Sequence, residues 1–148
     1  MSNARQHLHD REITHVAALF QQHGHQVIRT PRRNVRDTPA GDLLIDGHRS
    51  VAVRVAHLMP RRVTIYAAGR KYRYDYPEWS WNLHTHGRRY AQPDVWVFVA
   101  LGEPVRRFVV PARLLRGRYT LRVMRGRADQ HWLRRYRDVW DVAHRSAA

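Results

Sequence analysis

Residues 95–101 form an apolar run, VWVFVAL, that constrains the fold more than any other segment of this chain. Successive side chains of a β-strand point to opposite faces, so a strand that is apolar at every position must be covered on both. The run is also far too short to cross a bilayer, which takes about 20 residues. We therefore expect a buried central strand in a sheet with layers packed on both faces.

Shorter patterns predict the elements around this strand. Apolar residues at helical spacing indicate a helix over 11–23, and Gly24 stands where such a helix would end. Alternating or β-branched runs predict strands over 25–30, 42–46, 51–56, 63–67, 72–76, 108–110 and 119–124. A single helical turn is expected after Pro111, and a stripe containing Trp132 and Trp140 predicts a final helix over 129–144.

These elements predict an α/β fold of the α+β kind, in which a mixed central sheet is flanked by an N-terminal and a C-terminal helix. The 148 residues are expected to form a single domain, with residues 1–10 as a flexible tail. Residues 1–11 are polar and resemble no signal peptide, so we expect a cytoplasmic protein. The absence of cysteine excludes zinc ribbons and thiol enzymes.

The charge balance indicates the kind of partner. The chain carries 27 basic and 12 acidic side chains, a formal net charge of +15. Such an excess opposes compaction by self-repulsion, and a bound polyanion relieves it. The arginines are spread along the sequence instead of forming one face of an amphipathic helix, which argues against a membrane. Nucleic acid is the expected partner, with DNA preferred to RNA.

Two neighbouring segments carry a family resemblance. Gly41-Asp42 precedes Leu-Leu-Ile, and the next strand reads Val51-Ala-Val-Arg-Val. Together with Trp81-Asn-Leu, Asp94 before the apolar run and Phe108-Val-Val-Pro, this order resembles the PD-(D/E)XK nuclease superfamily over residues 11–142. That superfamily includes restriction enzymes, archaeal Holliday junction resolvases and intron-encoded endonucleases, so the resemblance implies a restriction endonuclease-like sheet and possible homodimers.

The resemblance also implies a chemistry from which this chain departs. In such nucleases an Asp and a Glu hold one or two divalent cations, usually Mg²⁺, and a Lys orients the attacking water. The matching residues here are Asp42, Ala52 and Arg54, so the second carboxylate is missing. Arg54 can grip a phosphate, but the pKa of a guanidinium is too high for it to act as a base. Mg²⁺ is therefore expected only if another acid joins Asp42 as a metal ligand.

Glu12 on the first helix is the candidate replacement acid, since many resolvase-like members direct a helical Glu towards the metal. An acid in the first turn of a helix also simply offsets the macrodipole, so both interpretations stay open. Asp46 shares a strand face with Asp42 but is about 13 Å away by strand rise, which favours a turn residue. His57 could be an acid–base group in the cleft or a turn residue.

Other residues are candidates for binding. Arg32, Arg33 and Arg36 precede Asp42 in a basic loop, and Arg61 and Arg62 flank the other side of the expected cleft. Two histidine pairs, His7 with His9 and His84 with His86, have metal-ligand spacing, although a solvent-facing role is favoured. The tyrosines at 72, 74 and 76 alternate with Lys71 and Arg73, which favours core aromatics with a basic outer face over a base-stacking surface.

Three functional hypotheses follow. The first is a nucleic-acid-binding protein with a nuclease-like fold and weak or lost cleavage activity. The second is an active Mg²⁺-dependent endonuclease that uses Asp42 with a relocated acid such as Glu12. The third is a protein interaction module that reuses the fold.

Overall fold

The structure is a computed structural model that describes residues 3–30, 41–83 and 92–141. The expected basic loop with Arg32, Arg33 and Arg36, and the pair His84 and His86, lie outside the described residues. In chain order the elements are helix α1 (Asn3–Gln22), strands β1 (Val27–Arg29), β2 (Leu43–Ile45), β3 (Arg49–Ala56), β4 (Met59–Ala67), β5 (Arg70–Asn82), β6 (Val95–Ala100) and β7 (Arg106–Pro111), a 3₁₀ helix (Ala112–Leu115), strand β8 (Thr120–Met124) and two further 3₁₀ helices (Arg125–Arg127 and Trp132–Tyr136).

Five strands form the main sheet, in the order β1-β2-β3-β6-β7. Strands β3 and β6 pair in parallel, and the other neighbours pair antiparallel. All six residues of β6 are buried, which confirms the expected central strand. The strands predicted over 42–46 and 51–56 correspond to β2 and β3, which pair as an antiparallel hairpin.

The two faces of this sheet carry separate apolar clusters, because alternate residues of β6 point to opposite sides. Val95, Val97 and Val99 pack with Ile13, Val16 and Phe20 of α1 on one side. On the other side, residues 96, 98 and 100 pack with aromatic side chains of β5 and apolar residues of β8. The α+β fold class with a mixed central sheet and an N-terminal helix is confirmed.

Helix α1 begins earlier than the sequence suggests. It starts at Asn3, so residues 3–10 are helical and the expectation of a flexible tail is wrong there. One reason is a contact with the sheet, since Nε2 of His9 lies 2.9 Å from the carbonyl oxygen of Val53. The helix is followed by Gly24, whose φ of 87° suits a left-handed C-terminal residue. No described helix is long and apolar enough to cross a membrane.

A second sheet has the order β4-β5-β8. The second half of β5 pairs with β8, and its Trp79 and Trp81 belong to the core. In contrast, residues 70–77 pair with β4 alone among the described strands. Tyr72 and Tyr74 are 40% and 52% exposed there, so the interpretation of these tyrosines as core residues is wrong.

Residues 129–141 do not form the α-helix that the sequence predicts over 129–144. They contain the 3₁₀ helix Trp132–Tyr136, after which Arg137 bridges to Phe108 of β7. Asp138 has a φ of 54°, and its N–H donates to the carbonyl oxygen of Arg107 at 3.0 Å. Residues 137 and 138 thus pair with the edge strand β7 instead of continuing a helix. Trp140 is buried as expected and meets Phe20 edge-on, with ring centroids 5.0 Å apart.

Candidate functional site

Asp42 lies where β2 and β3 separate. Their ladder ends at the pair Leu43 and Val51, and continuing this register places Asp42 beside Ala52. The Oδ2 atom of Asp42 accepts a hydrogen bond from the N–H of Val53 at 2.8 Å, in place of a backbone partner from β2. The carboxylate therefore closes the free edge of β3 and has a structural task of its own.

His9 completes this edge from the side of α1. Its Nε2 lies 2.9 Å from the carbonyl oxygen of Val53 and 4.0 Å from Oδ2 of Asp42. A carbonyl oxygen can only accept, so Nε2 must carry the proton in this contact. His7 is exposed, and no group of three His, Asp or Glu side chains converges among the described residues.

Arg54 is held in place by aromatic and polar contacts. Its guanidinium carbon lies 5.0 Å from the ring centroid of Trp96, and its Nη1 donates to the carbonyl oxygen of Val53 at 3.2 Å. Burial lowers the pKa of Arg54 from its ordinary value, while the nearby carboxylate of Asp42 opposes this shift. The pKa of a guanidinium lies so far above neutral pH that Arg54 keeps its proton. Arg54 is therefore an oriented cation that interacts electrostatically with Asp42.

A cleft of about 460 Å³ surrounds Arg54. It lies between the start of α1, the end of β3, the start of β4 and the second half of β5. Its lining residues are Arg5, Leu8, His9, Arg54, Val55, Ala56, His57, Met59, Glu78 and Ser80. His57, one of the histidines that sequence reasoning left open, therefore lies at the cleft. Several potential cations face a single concave surface, which can attract an anionic ligand.

Glu78 is the acid that sequence reasoning missed. It is 8% exposed, lines the cleft and pairs with Arg61, whose Nη1 lies 3.2 Å from its Oε1. Parity along β5 could have indicated it, because Trp79 and Trp81 face the core and the residues between and before them must face away. The carboxylate of Asp75 lies 3.3 Å from Nε of Arg62, a largely exposed pair on β4 and β5.

Glu12 occupies a different environment from Asp42. It is 5% exposed, and its Oε2 lies 3.2 Å from Nη2 of Arg107 on β7. The carboxylate is thus neutralised by a partner across the α1 face of the main sheet. The ion pair with Arg107 explains why a carboxylate is buried at this position, and no metal ion is needed to balance its charge.

The side chains around Asp42 do not match the needs of Mg²⁺. This ion requires near-ideal octahedral coordination by oxygen, with carboxylates as its protein ligands. Asp42 offers one carboxylate, of which Oδ2 already accepts from Val53, and Ala52 offers no donor. The neighbouring side chains Arg54 and His9 contribute nitrogen atoms, and the guanidinium of Arg54 adds positive charge. Among the described residues the donor set therefore does not fit Mg²⁺.

A larger concavity, about 610 Å³, lies at the other end of β3, around Arg49 and Asp94. The carboxylate of Asp94 accepts from the N–H of Ser50 at 3.0 Å, which ties β6 to the start of β3. Neither Asp42 nor Arg54 lines this concavity, so it is separate from the candidate site.

The comparison with solved structures supports the fold. No protein-family model matches the sequence, and no curated protein matches it. Among solved structures, the chain is similar to a bacterial homing endonuclease, I-Ssp6803I, with a TM-score of 0.56 and 14% sequence identity over 93% of this chain and 90% of that one. A likeness at this identity concerns architecture, and the chain accordingly has a nuclease-like fold.

Proposed function

We propose that this protein binds nucleic acid through a fold of the PD-(D/E)XK nuclease type and has weak or lost cleavage activity. The observation that carries the proposal is the set of residues at the point where β2 and β3 separate. The charge of Asp42 opposes the lowered pKa of Arg54 there, and the register places Ala52 beside Asp42, where the resemblance to these nucleases would put the second carboxylate.

The binding half of the proposal rests on charge and geometry. The net charge is +15, and Arg54 presents a guanidinium whose orientation is fixed by Trp96. A guanidinium matches the paired oxygens of a phosphate and forms charge-assisted hydrogen bonds with them. The likeness to a homing endonuclease supports a polynucleotide as the phosphate source.

The loss of cleavage rests on what each candidate catalytic residue does instead. Asp42 accepts a backbone N–H, Glu12 pairs with Arg107, and Arg54 retains its proton. A general base near neutral pH and a second acidic ligand are both missing from this set.

Binding is tested by measuring affinity for duplex DNA between 50 and 200 mM salt. If the protein contacts six to ten phosphates, affinity should fall about 10³- to 10⁵-fold over this range. A flat response would overturn the proposal and favour the protein interaction module. We expect DNA to bind more tightly than RNA, and sedimentation of the protein with and without DNA tests for the homodimer.

Cleavage is tested by incubating supercoiled plasmid with Mg²⁺ or Mn²⁺ and the wild-type, Asp42→Ala or Glu12→Gln protein. The proposal predicts intact plasmid in all cases. Nicking that both substitutions abolish would instead establish the active endonuclease that uses Asp42 and Glu12. Nicking that survives Asp42→Ala would indicate a contaminant or a different site.

A further inference from the structure

Strands β4 and β5 form a two-stranded ribbon whose outer part lies outside the core. Its nine pairs run from Met59 with Glu78 to Ala67 with Arg70. Isolated two-stranded hairpins are marginally stable, yet this one carries large side chains into solvent. The exposed fractions are 46% for Ile65, 76% for Tyr66, 40% for Tyr72 and 52% for Tyr74.

The register divides the ribbon into two different faces, because directly paired residues share a face. One face has the pairs Val63–Tyr74 and Ile65–Tyr72. The other has Arg62–Asp75, Thr64–Arg73 and Tyr66–Lys71. We call the second of these the polar face of the ribbon. All six of its side chains are exposed.

The polar face has the chemistry that distinguishes base edges. Arginine and lysine donate to O6 and N7 of guanine, carboxylates accept from N4 of cytosine, and hydroxyl groups can do either. Lys71 and Arg73 supply the cationic donors, and Asp75 supplies the carboxylate. Thr64 and Tyr66 supply the hydroxyl groups. The opposite face, with the pairs Val63–Tyr74 and Ile65–Tyr72, offers mainly aliphatic and aromatic groups, which discriminate base pairs less well.

We propose that the ribbon of β4 and β5 enters the major groove of duplex DNA and reads its base sequence with the polar face. This inference rests on the proposed function and names its substrate. Two strands about 4.8 Å apart, with their side chains, fit the B-form major groove, which is about 12 Å wide. The A-form groove of double-stranded RNA is deep and narrow and excludes such an element.

The length of the ribbon sets the size of the sequence that it reads. The part from Arg61 to Ala67 spans six residue steps, or roughly 20 Å at about 3.4 Å a step. Base pairs also stack at about 3.4 Å, so one ribbon covers about six base pairs, close to half a turn of the duplex. The cleft around Arg54 lies at the base of the ribbon, where Met59 and Glu78 line it, so it would meet phosphates beyond this segment.

The test is selection of binding sites from a pool of randomised DNA duplexes, followed by affinity measurements on the selected duplex, a scrambled duplex and a double-stranded RNA. The variants are Lys71→Ala and Arg73→Ala on the polar face. Arg70→Ala is the matched control, since it removes one exposed cation next to Lys71 but from the other face. Circular dichroism verifies that all three variants are folded.

The wild-type protein should select a short sequence of about six base pairs and discriminate against RNA. Each polar-face substitution should reduce discrimination between selected and scrambled duplexes about 5- to 150-fold. Arg70→Ala should weaken both duplexes equally and leave the selected sequence unchanged.

Salt-sensitive binding with no selected sequence, or with equal affinity for RNA, would overturn the ribbon inference while leaving the proposed function intact. An altered sequence with Arg70→Ala alone would assign reading to the opposite face and also overturn it. Absence of any salt-sensitive binding would instead remove the proposed function itself.

Discussion

Oε2 of Glu12 and Nη2 of Arg107 lie 3.2 Å apart, and both side chains are largely withdrawn from water. This ion pair joins α1 to β7 on the face of the main sheet that α1 covers. A buried charge that loses its partner is strongly destabilising, whereas removing both partners costs less.

We therefore expect Arg107→Ala to lower the free energy of unfolding by about 3–5 kcal/mol. Glu12→Ala should also destabilise, and the double variant should be more stable than the sum of the single effects predicts. Urea denaturation of the four proteins measures this coupling. An unchanged urea midpoint for Arg107→Ala would contradict a structural role for the pair.

Replacing Asp42 by Asn tests how the charge of Asp42 affects binding. The amide oxygen can still accept the N–H of Val53, so the protein should fold normally. Removing a negative charge that acts on Arg54 should raise DNA affinity about fivefold at low salt, since one repulsion between a carboxylate and a phosphate in water is worth about 1 kcal/mol. Fluorescence anisotropy against labelled duplex measures the change. A marked loss of affinity would mean that Asp42 binds the ligand through a cation.

Arg54→Ala should weaken duplex DNA binding about 10- to 100-fold, the range expected for losing a charged hydrogen bond to phosphate. It should also make the salt dependence shallower by about one phosphate contact. Arg54→Lys should recover part of the affinity, because a lysine restores the charge but not the planar contact with Trp96. Equal affinities for all three proteins would exclude this cleft as the phosphate site.

The stability of the fold should depend on Asp46 in acid. A hydrogen bond from His25, with Nδ1 2.8 Å from Oδ2, and a second from the N–H of Gln26 lower the pKa of Asp46 below its ordinary value of 3.8. A lowered pKa in the folded state means that the carboxylate stabilises the protein above about pH 3.8 and that this contribution disappears as pH falls through the lowered value. Thermal unfolding of the wild type and Asp46→Asn from pH 6 to pH 2 measures the difference. The variant should lose less stability than the wild type over this range, and parallel curves would contradict the assignment.

The elements that the sequence predicts correctly are those with strong local patterns. The run 95–101 could hardly be anything but a buried strand, and Gly47 and Gly69 mark two hairpins. The second of these turns consists of Ala68 and Gly69, between the paired residues Ala67 and Arg70.

The features that the sequence does not predict depend on tertiary contacts. The apolar stripe over 129–144 is compatible with a helix, but Arg137 pairs with Phe108 and Trp140 packs on Phe20, which favours a more extended path. Tertiary context commonly overrides helix propensity in this way. At the site, the partner of Glu12 is 95 positions away in the sequence, so no local pattern could identify it.

The length of the turn between β4 and β5 determines which side chains lie on each face at the tip of the ribbon. Ala68 and Gly69 both have positive φ, 51° and 74°, as a two-residue turn of this tightness requires. An inserted or deleted residue there shifts the pairing near the turn by one, which moves the side chains of one strand to the opposite face of the ribbon. Because Trp79 and Trp81 anchor the lower half of β5, such a change stays confined to the tip. A length change at this one loop is therefore enough to present new chemistry to a ligand while the rest of the protein is kept intact.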